Sequence, residues 1–145
     1  MKKFARFTFA LAILSTVIVP NTINAAKAVY GTVVVNGEVL ESNTEPIILN
    51  GNTMVPFREI FEALEMSVKW DNTTKTVIAS KEGITIKMTA DDLGARVNNA
   101  QYKLTQTPFI TPEGLLYVNL RFIGEAVGAE VSWDNSNKLA TVTSE

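Results

Sequence analysis

Val55-Pro-Phe-Arg-Glu-Ile-Phe-Glu-Ala-Leu-Glu-Met-Ser-Val-Lys-Trp-Asp-Asn72 recurs as Val118-Asn-Leu-Arg-Phe-Ile-Gly-Glu-Ala-Val-Gly-Ala-Glu-Val-Ser-Trp-Asp-Asn135, offset by 63 residues without a gap. Identities fall at Val55/Val118, Arg58/Arg121, Ile60/Ile123, Glu62/Glu125, Ala63/Ala126, Val68/Val131 and Trp70-Asp71-Asn72/Trp133-Asp134-Asn135. Register kept over 18 positions marks an internal repeat. Upstream the match loosens, with Val35-Asn36-Gly37 facing Val97-Asn98-Asn99 after a slip of one residue. The two copies cover about residues 33–80 and 96–143.

Within a copy, turn chemistry separates short apolar stretches. Asn36-Gly37 lies between Thr32–Val35 and Glu38–Leu40, the pattern of a two-residue type I′ hairpin, because both residues tolerate positive φ. Asn98-Asn99 is expected to do the same. Asn50-Gly51 and Glu113-Gly114 mark a second hairpin in each copy. Phe57, Ile60, Phe61 and Leu64 then form the i, i+3, i+4, i+7 stripe of a short amphipathic helix, with Pro56 in its first turn. The second copy keeps Leu120, Ile123 and Val127 on the stripe, puts Gly124 where Phe61 stands, and reaches Gly128, a natural residue for a helix end. The first copy has Glu65-Met66 there and must end its helix without glycine. A strand-turn-strand follows in each copy, around Asp71–Lys75 and Asn135–Lys138. Ile84, Ile86 and Met88 alternate with Thr85 and Lys87 as a half-buried strand should. The expected fold is therefore α+β: two pseudo-symmetric copies of a β-hairpin-rich module, each with one short amphipathic helix packed on antiparallel strands. No Pro/Gly/Ser-rich linker separates them, so they are expected to pack together.

The first 26 residues read differently. Lys2, Lys3 and Arg6 precede an apolar run from Phe7 to Val19, Pro20-Asn21 breaks it, and Ala25, Ala26 and Ala28 supply small residues for cleavage. This is the pattern of a signal peptide, since a run of about 13 apolar residues falls short of the roughly 20 that span a bilayer. No stable membrane anchor is expected after cleavage, and residues 27–32 would begin the mature chain. The localisation expected is secreted or extracellular, with the cell wall as one place of association open to it.

Composition narrows the function further. Hydrophobic residues at 46% against 19% charged suit a globular domain with a packed core. Without Lys2, Lys3 and Arg6, ten basic residues face fifteen acidic ones, a net charge of about −5 with no basic cluster for phosphates. Nucleic acid is an unsuitable partner. The chain contains neither cysteine nor histidine, which removes disulfides, thiolate and imidazole catalysis, and the usual zinc and copper ligands. Walker, G-x-G-x-x-G, H-E-x-x-H and G-x-S-x-G motifs are also missing. The expectation is a non-enzyme without cofactor or metal.

Asn50-Gly-Asn-Thr-Met-Val-Pro-Phe-Arg58, Glu62-Ala-Leu64 and Val68-Lys-Trp-Asp71 resemble the signature of the copper amine oxidase N-terminal-like domain, also called the stalk domain. The resemblance spans about residues 33–145 and recurs in both copies, departing at Asn119 for the motif proline, at Glu65-Met66 and at Gly124. It implies an α+β module of secreted and surface proteins of Gram-positive bacteria. It does not imply amine oxidation, whose copper site needs histidines.

Six residues are candidates for binding: Arg58, Glu62, Trp70, Arg121, Glu125 and Trp133. Arg58/Glu62 and Arg121/Glu125 are i, i+4 pairs that either present charge to a ligand or brace the helix, and bracing is the commoner role. Neither glutamate has a second carboxylate at a matching helix position, so neither reads as a general acid. Trp70 and Trp133 would offer sugar-stacking faces, but they alternate with Val68 and Val131 on what reads as a core face. Tyr30, Tyr102 and Tyr117 are better placed as partly exposed aromatic contacts. The Asp71 and Asp134 loops offer oxygens without an EF-hand's glycine or twelfth-position glutamate and read as turns. The first functional expectation is a non-catalytic module binding cell-wall glycan or another surface macromolecule. A secreted protein-interaction domain, an inhibitor or scaffold subunit, is the alternative, and a hydrolase working through Glu62 or Glu125 is a third.

Overall fold

The computed structural model describes residues 29–42 and 44–145, so the signal-peptide reading of residues 1–26 lies outside it. In chain order the elements are β1 (Val29–Tyr30), β2 (Thr32–Val35), β3 (Glu38–Val39), β4 (Ile47–Leu49), β5 (Asn52–Pro56), α1 (Phe57–Ala63), β6 (Ser67–Asp71), β7 (Thr76–Lys81) and β8 (Ile84–Thr89). They continue as β9 (Gly94–Val97), β10 (Ala100–Lys103), β11 (Phe109–Ile110), β12 (Leu116–Asn119), α2 (Leu120–Ala126), β13 (Glu130–Asp134) and β14 (Leu139–Thr143). The fold is mixed α+β, with two seven-residue helices among the described residues and three mostly antiparallel sheets.

The sheets are ordered β1-β4-β5-β12-β11, β10-β9-β8-β7-β6 and β13-β14-β2-β3. In the first, β5 pairs with β12 so that Val55 faces Val118, its counterpart at the 63-residue offset. The other two sheets cross-connect the copies. The β2–β3 hairpin joins β13–β14, through a parallel β14–β2 pair, whereas β9–β10 extends the sheet of β6, β7 and β8. Neither copy is self-contained, because each sends its first hairpin to the sheet holding the other's last. Burial follows suit: Val33, Val55, Ile60, Phe61, Val77, Ile86, Val118, Ile123 and Val142 belong to a single hydrophobic cluster.

Local chemistry explains the elements and corrects some expectations. Asn36-Gly37 and Asn50-Gly51 take positive φ at both residues, as type I′ turns require. In the Asn98-Asn99 turn only Asn98 does, because a second left-handed position without glycine is costly. Glu82-Gly83 forms a further positive-φ turn between β7 and β8. Pro56 ends β5 and caps α1 from outside rather than occupying its first turn, and α1 runs about two turns. Both helices close alike: Met66 N–H donates to the Phe61 carbonyl and Ala129 N–H to that of Gly124, each at 2.8 Å. The first helix does this by placing Glu65 at φ 58, where the second uses Gly128 at φ 77. Both post-helix turns also match, Asp71 Oδ1 accepting from Thr73 and Thr74 N–H, and Asp134 Oδ1 from Ser136 and Asn137 N–H.

Two departures from the motif have physical reasons. Asn119, buried, accepts the Phe122 N–H at 3.2 Å to cap α2 and donates to Asn52 Oδ1 at 2.9 Å and Thr105 Oγ1 at 3.1 Å, tying the copies together. Gly124 lies against β13, where any Cβ would overlap the Val131 side chain.

Candidate functional site

The six sequence candidates do not converge. Arg58 and Glu62 are exposed on α1, yet form no ion pair; the Arg58 guanidinium instead lies 5.2 Å from the Phe57 ring centre. Phe57 in turn stacks on Trp70 at 5.5 Å, giving an Arg–Phe–Trp layer. The preference for cation–π contact follows from the aromatic beside Arg58, which the second copy lacks at Leu120. There Arg121 does approach Glu125, at 3.7 Å with both side chains solvated, a pairing of small energetic weight. Trp133 shares a cleft of about 110 Å³ with Arg121, Gly51 and Leu120. Both tryptophans are half-buried and pack against the core with Val68 and Val131. Tyr117, expected to be partly exposed, is buried by its place in the central sheet; its hydroxyl donates to the Glu45 carbonyl at 3.0 Å, and burial raises its pKa. Tyr30 and Tyr102 remain exposed.

A second feature gathers residues that sequence reasoning passed over. Between the β2–β3 hairpin and α1 runs a groove of about 480 Å³. Val39, Glu38 and Glu41 line one wall; Glu59, Glu62 and Glu65 line the other; Val35, Leu40 and Ala63 supply apolar surface. A shallower opening continues it past Glu41, Ser42 and Glu59, where the Ser42 hydroxyl donates to Glu59 Oε1 at 3.3 Å. Glu62 is thus not isolated, because the i, i+3 spacing puts Glu59 beside it on α1 and Glu65 follows in the turn that closes the helix. That spacing was legible. The contribution of Glu38 and Glu41 was not, since it depends on the hairpin docking beside α1.

Of these five glutamates only Glu65 has an ion-pair partner among the described residues, Lys81 Nζ at 3.3 Å. Like charges along low-dielectric walls raise a negative potential that concentrates cationic groups. Metal is a poorer occupant. Among the described residues no three carboxylates converge closely enough to hold an ion, and the chain has no histidine or cysteine to supply copper ligands. The groove therefore offers charge, apolar surface and a strand edge, without a nucleophile paired to a base.

The described residues thus form a small α+β unit with an acidic groove beside α1. The family model for the copper amine oxidase N-terminal domain matches residues 34–142, and the chain belongs to that family. This N-terminal domain is a non-catalytic one. No curated protein matches the chain. Among the described residues no helix is long and apolar enough to cross a membrane.

Proposed function

We propose that the chain is a secreted or cell-surface module of a Gram-positive bacterium that holds cell-wall glycan or another surface macromolecule without transforming it. On this reading residues 1–26 are removed as a signal peptide and residues 33–145 act as one unit built from two pseudo-symmetric copies. The observation carrying it is the groove beside α1, a binding shape whose wall side chains are carboxylates, aliphatic chains and an amide. Co-sedimentation with purified peptidoglycan tests the glycan version: retention above a control protein supports it, and retention equal to the control removes it.

One observation favours a protein partner instead. β3 ends its sheet and borders the groove, and an open strand edge is a common seat for a peptide. Under this second reading the chain is an interaction domain, an inhibitor or scaffold subunit, and a protein co-purifying in stoichiometric amount supports it. A monomer recovered without any protein partner counts against it.

A further inference from the structure

We propose that the groove between β3 and α1 receives an extended basic peptide segment, which adds to β3 as a fifth strand and turns alternate cationic side chains toward the α1 glutamates. The inference rests on the macromolecule-holding reading above and specifies its partner.

The backbone geometry comes first. Val35 and Glu38 face each other beside the Asn36-Gly37 turn, and Leu40 N–H donates to the Val33 carbonyl at 2.8 Å. Backbone groups alternate in direction along an antiparallel strand, so the N–H and C=O of Val39 point away from β2. An outermost strand is a template for another strand, and Val39 is 59% exposed on this one. Neither lysine nor proline stands between Glu38 and Ser42; the guards present are the shortness of β3 and the charges of Glu38 and Glu41, which repel an acidic strand and attract a basic one.

Charge then selects the occupant. A strand added beside β3 alternates its side chains, one set outward and the other toward α1. The inward set meets Glu59 and Glu62, neither of which has a cationic partner among the described residues. Lysine or arginine satisfies both halves of this surface, since the stem covers Leu40 and Ala63 while the head reaches the carboxylates. A neutral glycan fits less well, because no aromatic ring lines the groove for sugar stacking.

The second copy supplies an internal comparison. At the offset of 63 the counterpart of Glu59 is Phe122, and after the one-residue slip the counterpart of Leu40 is Tyr102. Those two rings meet edge to face at 6.0 Å, joining the β9–β10 hairpin to α2. Where the second copy has this aromatic contact, the first has an acidic opening. The groove is therefore a property of this copy's side chains, not an inevitable gap in the fold.

The test is fluorescence anisotropy of the purified protein with a labelled peptide of about six residues, strand length, alternating lysine and valine. Saturable binding that weakens with added salt is expected, with none for the glutamate–valine counterpart. Glu59→Gln with Glu62→Gln should weaken binding by about tenfold or more. Val39→Pro should abolish it at unchanged melting temperature, because proline is tolerated where an edge N–H faces solvent. Glu130→Gln, an exposed change on β13, should leave affinity unaltered. Lack of peptide binding, an equal effect of Glu130→Gln, or indifference to the paired glutamine substitutions would overturn the proposal. Peptidoglycan retention measured on the same samples separates the two levels: a protein that is retained but ignores the peptide sinks this inference and leaves the broader reading standing.

Discussion

Replacing Gly124 by alanine sets helix propensity against packing, and the structure decides the sign. In a helix interior alanine is favoured over glycine by about 1 kcal/mol, so Gly124→Ala would stabilise α2 if the position were open. It is not open. The new Cβ would overlap Val131 Cγ2 and come within 3.7 Å of Val142 Cγ1. Val131 has few rotameric escapes, being β-branched, and its strand is pinned to β14 from Glu130↔Thr143 to Asp134↔Leu139. Overpacking of this kind costs about 1–3 kcal/mol, which exceeds the propensity gain. The expected outcome is a net loss of about 1 kcal/mol in urea unfolding, with an unchanged m-value. Val131→Ala added to Gly124→Ala should recover part of the loss, a favourable coupling in the double-mutant cycle. A Gly124→Ala protein more stable than the parent would refute the argument and place α2 farther from β13.

Three further outcomes follow from particular contacts. Asn119→Ala should cost about 2 kcal/mol, since it removes the α2 cap and leaves Asn52 and Thr105 without their buried partner; thermal unfolding checks it. Gly128→Ala should cost about 1–2 kcal/mol through left-handed backbone strain alone, because no atom lies within 4 Å of the added Cβ. The pKa of Asp71 is lowered, first by the Thr73 N–H, and that of Asp134, first by the Asn137 side chain. Depressed folded-state values mean that the unfolded chain binds more protons. Their stabilising contribution is therefore present above the ordinary carboxylate value of 3.8 and disappears as pH falls through the lowered ones. Denaturation series across acid pH should show that decline, which Asp71→Asn with Asp134→Asn should flatten.

Periodicity and turn chemistry carried the local structure. The Phe57–Leu64 stripe, the Asn-Gly turns and the Ile84–Met88 alternation each correspond to an observed element, because each depends on residues adjacent in sequence. Partner choice between hairpins is tertiary. Nothing in Thr32–Val35 announces a parallel pairing with Leu139–Val142, so the crossing of hairpins between copies was invisible. The same limit applied at the candidate site. Arg58 was read against Glu62 from spacing alone, yet Phe57 supplies the closer partner, and the acidic groove needs a hairpin that lies some twenty residues upstream of α1 to dock beside it. The i, i+3 pair Glu59 and Glu62, with Glu65 close behind and no lysine among them, was available to sequence reading and was the missed signal.

On the proposed reading the groove is where the domain acts. In that reading its strand edge would supply direction and its carboxylates a preference for basic segments. Affinity built this way needs no metal and no chemical step, which suits a non-catalytic family domain.

The most direct measurement is a titration of the protein with the lysine–valine peptide followed by backbone amide chemical shifts. Perturbations concentrated at Val39 to Glu41 and along Glu59 to Glu65, saturating together, are the predicted result. Shifts centred on Trp133 and Arg121, or none at saturating peptide, would contradict the assignment of the β3–α1 groove as the place where this chain holds its partner.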